Sequence, residues 1–415
     1  MTTSLLSISP TGALIGSLLA GLASVSAAAQ TFIIDDTPGP GIDFPSIQAA
    51  LAVVPSGSVL DVRQGLYNGF VLDRHMTIIG ASPAAVRVTS SIEINGLGIG
   101  ATTVLSRLSI EEDLEVIDVG STVILDNLVF TSPLGQQRGD LDVQNSSDVR
   151  MARVQFSSLI VADSRVQASQ SYFAGNDLNP YPARGESGVR IEGTSLVHLD
   201  HCTAVGAEGF PCEDPGGCFM QQVSAGSGGH GVEVGPHATL RAVRSDLVAG
   251  WYGTDNACAC QFFLALNGDP LVVEGRAELW GNRTDLGSAG AGYSPAYVVL
   301  PGGSLSDSVP YPSLMATNAG PNQTSITLAF DAEPGSSRRL IVGRQPILAL
   351  IPGLTIGRLV TVNRLASLGE STQEAGQVSF PQPPWALGVV FHAQVSRTLP
   401  SGATELSNSV SIVAR

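Results

Sequence analysis

The sequence predicts an all-β chain built mainly as a solenoid of short parallel strands, a parallel β-helix. Three observations predict it. An apolar–polar–apolar triplet recurs at Ile92-Glu93-Ile94, Leu114-Glu115-Val116, Leu141-Asp142-Val143, Leu159-Ile160-Val161, Val189-Arg190-Ile191 and Val232-Glu233-Val234. Each is followed by a second block of fixed form, such as Val123, Leu125, Leu128, Phe130 and then Val149, Met151, Val154, Phe156. Glycine is abundant, with 47 copies, and aromatics make up only 6% of the chain, as suits many short strands joined by tight turns. Units this short cannot bury their apolar face alone, so they stack, and the apolar members form one continuous core. A propeller or sandwich needs longer or more even repeats.

Along the chain, residues 1–29 read as a signal peptide. Ala13 to Ala29 is an apolar, small-residue run ending in Ala27-Ala28-Ala29, so the mature chain would begin at Gln30. No Arg or Lys precedes Ala13, unlike the usual positive start. A membrane anchor is the rival reading, but the run is short and rich in Gly and Ser for a spanning helix. Secretion, or display at the cell surface, is the expectation. Next, Phe44, Ile47, Ala50, Leu51 and Val54 recur at helical spacing, with Asp43 and Pro45 as start signals. A short amphipathic helix follows from this. Val59, Val62, Tyr67, Phe70, Leu72, Met76 and Ile78 then alternate with polar residues and glycine turns.

The stretch from Phe44-Pro45-Ser46-Ile47-Gln48-Ala49-Ala50-Leu51 through Val59-Leu60-Asp61-Val62, Gly65-Leu66-Tyr67 and Ile78-Ile79-Gly80 resembles the first coil of pectin methylesterases and related pectin-lyase-like proteins. The resemblance implies a right-handed parallel β-helix whose N-terminal helix caps the open core, over residues 30–283. It also places polysaccharides among the expected ligands.

Alternation within the repeats sorts faces. Glu93, Glu115 and Asp142 are expected to stack as an acidic column. Arg107, Asn127, Arg153, Gln170, His201 and Arg244 are expected to form one outer column, and Ile124, Arg150, Gln167, His198 and Arg241 another, making an adjoining basic face. The extra residues that stretch some repeats leave after Phe173, Ala204 and Leu247. They make loops at 174–188, 205–231 and 248–269 that would build a wall beside one face. Residues 284–325 are rich in Gly, Ser and Pro and read as a linker. Residues 326–415 carry alternating strands such as Val389 to Val395 and read as a small C-terminal β-sandwich, an accessory module.

The net charge of −15 argues against nucleic acid as a partner. All 21 basic residues are arginine, which removes lysine chemistry such as Schiff bases. Of five cysteines, Cys202 falls on an inward position. Cys212, Cys218, Cys258 and Cys260 lie in the second and third loops, and disulfides between those loops are expected, since a Cys258–Cys260 bridge would close a strained ring. A zinc site from these four is the sharper alternative, at unusual spacing.

Candidates for chemistry are few. Trp251, Tyr252 and Tyr181 lie in the corner loops, where aromatic faces can stack on sugar rings, with Arg184, Glu213 and Arg153 as polar partners. Arg244, Arg184, Glu208, Glu213 and Asp214 are candidates for a lyase, which would pair an arginine base with carboxylates holding calcium. His201 and His230 complete the catalytic candidates. Gly229-His230-Gly231 is similar to the corresponding segment of polygalacturonases, but the paired aspartates and the R-x-K of those enzymes are missing, and a turn at the start of a rung explains it. The G-x-V-D-F segment of pectin methylesterases is missing too. The expected function is polysaccharide binding by a monomer, with anionic glycans favoured if Arg150, Arg153, Arg241 and Arg244 form the ligand face. The alternatives are a lyase or hydrolase at the loop wall, with calcium if a lyase, and a structural surface protein.

Overall fold

The computed structural model describes residues 30–131, 139–176, 185–209, 227–251, 268–280 and 297–306, and the backbone of strands between 313 and 413. Its main body is a coil of three all-parallel sheets. The chain passes through the first, second and third sheet in turn and returns to the first one rung on. The first sheet has 11 strands, from Thr31–Ile34 to Ser304–Ser306. The second has eight, from Gly65–Tyr67 to Asp246–Val248, and the third has nine, from Phe70–Leu72 to Val298–Val299. The recurrent triplets are the third sheet. No helix among the described residues is long and apolar enough to cross a membrane.

Each second block turns out to be two strands and a corner. Leu125 belongs to the first sheet and Phe130 to the second, and the three-residue step between Leu125 and Leu128 contains the bend. The bend is made by one residue per rung with positive φ: Arg107, Asn127, Arg153, Gln170, His201 and Arg244, with φ from 45° to 64°. These are the residues expected as an outer column, and they do stack, but at a corner rather than on a face. A non-glycine residue there costs on the order of 1 kcal/mol. The cost is offset by a ladder of backbone bonds. The Arg107 N–H donates to Asp126, Asn127 to Ala152, Arg153 to Ser169, Gln170 to Asp200 and His201 to Val243.

The core is set by register. Leu60, Ile78, Leu105, Leu125, Met151, Ala168, Leu199 and Ala242 are paired rung to rung and buried. On the second sheet Phe156 sits over Phe173, and the Phe130 and Phe156 rings stack with centroids 6.5 Å apart. Serines fill one inner row: the amide of Val119 donates to Ser146 Oγ, that of Ser146 to Ser164 Oγ, and that of Ser164 to Ser195 Oγ. The helix Ile47–Leu51 starts at Ser46, whose Oγ accepts the Ala49 N–H at 3.1 Å, and buries Ile47, Ala50 and Leu51 beside the first rung. Strand Thr31–Ile34, without an alternating signal of its own, pairs with Val59–Val62 ahead of it.

The sheets run further than the sequence boundary at 283. Val298–Val299 pairs with Leu271–Val273, and Ser304–Ser306 with Arg276–Trp280. Pro301, Gly302 and Gly303, which read as linker, instead make a turn in which the Gly303 amide donates to the Leu300 carbonyl. Beyond it lie two three-stranded antiparallel sheets, one of Ser313–Thr317, Ser325–Asp331 and Ala375–Pro381, the other of Ser337–Gly343, Val390–Thr398 and Thr404–Val413.

Phe156 has no solvent to fall back on and fills a stacked row. Phe156→Ala is expected to lower unfolding free energy by about 3–5 kcal/mol in denaturant melts. A loss under about 1 kcal/mol contradicts the row.

Candidate functional site

The third sheet brings one outward residue of each rung into a single line: Val71, Glu93, Glu115, Asp142, Ile160, Arg190 and Glu233. At about 4.8 Å per rung, Glu93 to Glu233 spans about 24 Å. The acidic column of the sequence is therefore present. It is also wider than the triplets show. Asp113 and Asp140 flank it, with Asp113 Oδ1 accepting the Asp140 amide at 3.0 Å and Asp140 Oδ1 accepting the Ser158 hydroxyl at 2.7 Å. Amides brace the carboxylates, Asn95 donating to Glu93 and Gln144 to Asp142, each at 2.7 Å.

Like charges in a line raise each other's proton affinity. The Glu115 carboxyl is held above its ordinary range by burial first, then by Glu93, Asp142 and Asp113. Asp140 is pushed up by burial and by Asp113 and Asp142, against the Ser158 hydrogen bond. Glu186 is pushed up by burial and then by Asp140, with Arg190 opposing. Ser187 donates to Glu233 at 3.2 Å, closing the strip at its far end. Asp113, Asp140 and Glu186 were missed in the sequence. Asp140 was legible as the outward partner of Asp142 two residues on; Glu186 lies in a loop without periodicity.

At the corner before the third sheet the bases of the three insertions form a wall, and the rest of each insertion lies outside the described residues. Their described bases, 185–188, 205–209, 227–231, 248–251 and 268–270, are bonded backbone to backbone. The Ala207 amide donates to Glu186, Gly229 to Ala207, Gly250 to Gly229 and Gly268 to Gly250. Packing is close enough that a Cβ on Gly250 would sit 1.8 Å from the Ala207 carbonyl oxygen. Trp251, whose carbonyl accepts the Gly209 amide, is 48% exposed at the start of the third insertion.

His230 is buried in this wall, and its Nδ1 accepts the Asp269 amide at 2.9 Å, which places the proton of the neutral ring on Nε2. That geometry fits a junction of rungs. Glu208 belongs to the wall and is exposed. Arg244 and His201 sit at the positive-φ corner, with a second-sheet strand between them and the wall, so the structure does not bring Arg244 and Glu208 together. His201 Nδ1 lies 2.7 Å from Asp200. Tyr181, Arg184, Cys212, Glu213, Asp214, Cys218, Tyr252, Cys258 and Cys260 lie outside the described residues. Cys202 is a buried thiol pushed up to about 12 by burial, its Sγ donating to the Asp200 carbonyl.

The expected basic face is a correction. Its arginines meet acids of their own strand or of a neighbouring rung. Arg150 pairs with Asp148 at 3.0 Å, Arg241 with Glu278 at 2.7 Å and Arg153 with Asp126. His198 is held neutral, its pKa lowered to about 3 by burial and by Arg241. Elsewhere, an open cleft of about 640 Å³ lies at the far end of the coil, lined by His237, Glu274, Arg276 and Pro301. Among the described residues no group of three or more His, Cys, Asp or Glu side chains is arranged to hold a metal ion.

No protein-family model, curated protein or solved structure matches the chain.

The raised carboxyls make a pH prediction. A carboxyl whose folded pKa lies above its unfolded value opposes folding once both states have lost the proton, and stops opposing it when both are protonated. Glu115→Gln is therefore expected to raise the melting temperature at pH 7 and to leave it nearly unchanged at pH 3. An equal or opposite shift at pH 7 contradicts the crowding of Glu93, Glu115 and Asp142.

Proposed function

We propose that the chain is an exported right-handed β-helix protein of the pectin-lyase-like kind that binds a polysaccharide along the outer face of its third sheet. One observation carries this reading: a straight line of outward residues about 24 Å long, in which Glu93, Glu115 and Asp142 are contiguous and Glu233 lies beyond Ile160 and Arg190, beside the bonded bases of insertions that hold a half-exposed Trp251. A carboxylate accepts hydroxyl hydrogen bonds without moving, and an indole face stacks on a pyranose ring. A scaffold of hydrogen-bonded rungs keeps these groups in place before the ligand arrives, which lowers the ordering cost of binding. The helix Ile47–Leu51 caps the core in this reading, and the C-terminal strands form an accessory sandwich.

The charge of the strip selects among glycans. Six carboxylates and one arginine repel polyuronates, while the arginines of the first sheet face acids. The ligand is therefore a neutral or amine-bearing glycan. A second reading, hydrolysis, is favoured by Asp140 and Glu186. Both are half-buried acids raised by their surroundings, Asp140's charge being among the causes for Glu186, and a general acid requires a carboxyl that keeps its proton near working pH.

The test uses the mature chain from Gln30, titrated with neutral, amine-bearing and uronic-acid oligosaccharides while reducing ends are followed. Binding of neutral or amine-bearing glycans is expected, and Trp251→Ala is expected to weaken it about tenfold, or about 1.4 kcal/mol. Release of reducing ends that Asp140→Asn abolishes would favour the hydrolase. Binding confined to polyuronates, or to no glycan, contradicts the strip as the site.

A further inference from the structure

We propose that the outer face of the first sheet is a docking platform for the chain's own C-terminal strands, led by Thr404–Val413. A run of outward positions on this sheet is closed off. Val59, Ile79, Val104 and Ile124 point away from the core, yet they are buried and form a separate apolar cluster. On the next rungs outward Arg150 is 2% exposed and His198 is 7% exposed. Some outward residues elsewhere are more open, Val71 on the third sheet at 49% and Tyr172 on the second at 40%, although Val272 on the third is buried at 7%. The body lying against the closed face is visible: Thr404–Val413 runs beside Asp148–Ala152 and Arg165–Ser169.

The apolar cluster continues from that contact. Ile124 is one rung from Arg150, Val104 two and Val59 four, so the platform extends about 19 Å beyond it. Strands of seven to ten residues, such as those of the two antiparallel sheets, are long enough to cover that distance. The chemistry of the face also fits permanent cover. An unpaired buried charge is costly, and Arg150 is matched by Asp148 beside it. His198 carries no charge at neutral pH. The alternation Leu406, Asn408, Val410 and Ile412 against Ser407, Ser409 and Ser411 gives the leading strand a mainly apolar side to bury. Docking of this kind makes the C-terminal part a fixed flank of the solenoid rather than a tethered module, and leaves the third sheet as the open face.

The experiment places a benzophenone side chain at position 167, an outward and half-buried site beside the contact, in the full mature chain. Irradiation followed by peptide mass spectrometry is expected to show an intramolecular cross-link into residues 404–413. A cross-link between two copies gives the face to a second molecule and overturns the proposal, as does the lack of any cross-link to the C-terminal strands. Independently, Ile124→Arg is expected to raise the radius of gyration in X-ray scattering while the β-sheet circular dichroism stays. An unchanged radius in the folded variant overturns it too. The cross-link requires no substitution within the apolar cluster, so it decides the matter even where Ile124→Arg fails to fold.

Discussion

Every strand of the solenoid must bond to the rung before it and the rung after it, and this one constraint organises the rest. Parallel pairing at about 4.8 Å leaves no freedom of register, since a slip by one residue would turn each core row to solvent. Leu125 must sit between Leu105 and Met151, and Phe156 between Phe130 and Phe173. The corner must repeat as strictly. One residue per rung accepts positive φ so that its amide can reach the carbonyl of the next rung, whether the side chain is Asn127 or the less suited Arg153 and His201.

The same constraint makes columns on the outside, and columns make electrostatics. A residue type that repeats becomes a line of like charge, as Glu93, Glu115 and Asp142 do, and burial, then the line, raises the carboxyl of its central member. Where types alternate, the line neutralises itself, as Arg241 does with Glu278, and Arg150 is neutralised along its own strand by Asp148. So two faces with similar composition differ in what they offer a ligand. The acidic strip remains partly open, whereas on the first sheet Val59, Ile79, Val104, Ile124 and Arg150 are buried.

The repeats and their inward rows were legible because a period-2 pattern anchored by aliphatic residues has one physical reading. The acidic column was legible for the same reason. The corner was not, because a residue in positive φ has no composition signal when it is Arg, Gln or His rather than Gly or Asn. The pairing of the arginines escaped as well. Arg150 and Arg153 read as outward cations, but Asp126 is placed beside Arg153 only by folding, across a rung, while Asp148 stands two residues before Arg150 on the same face of its strand and was passed over. The end of the coil was misjudged at Pro301-Gly302-Gly303, since the same residues serve a linker and a turn. Insertions break the period, so Glu186 and the bonding inside the wall had no sequence signature.

The most direct measurement of the central claim is a crystal structure of residues 30–415 with a neutral oligosaccharide bound. The account places the sugar rings along the line from Glu93 to Glu233, one beside Trp251, with hydroxyls on the braced carboxylates. Rings on the second sheet, or in the cleft by His237 and Arg276 with the acidic strip empty, would contradict it.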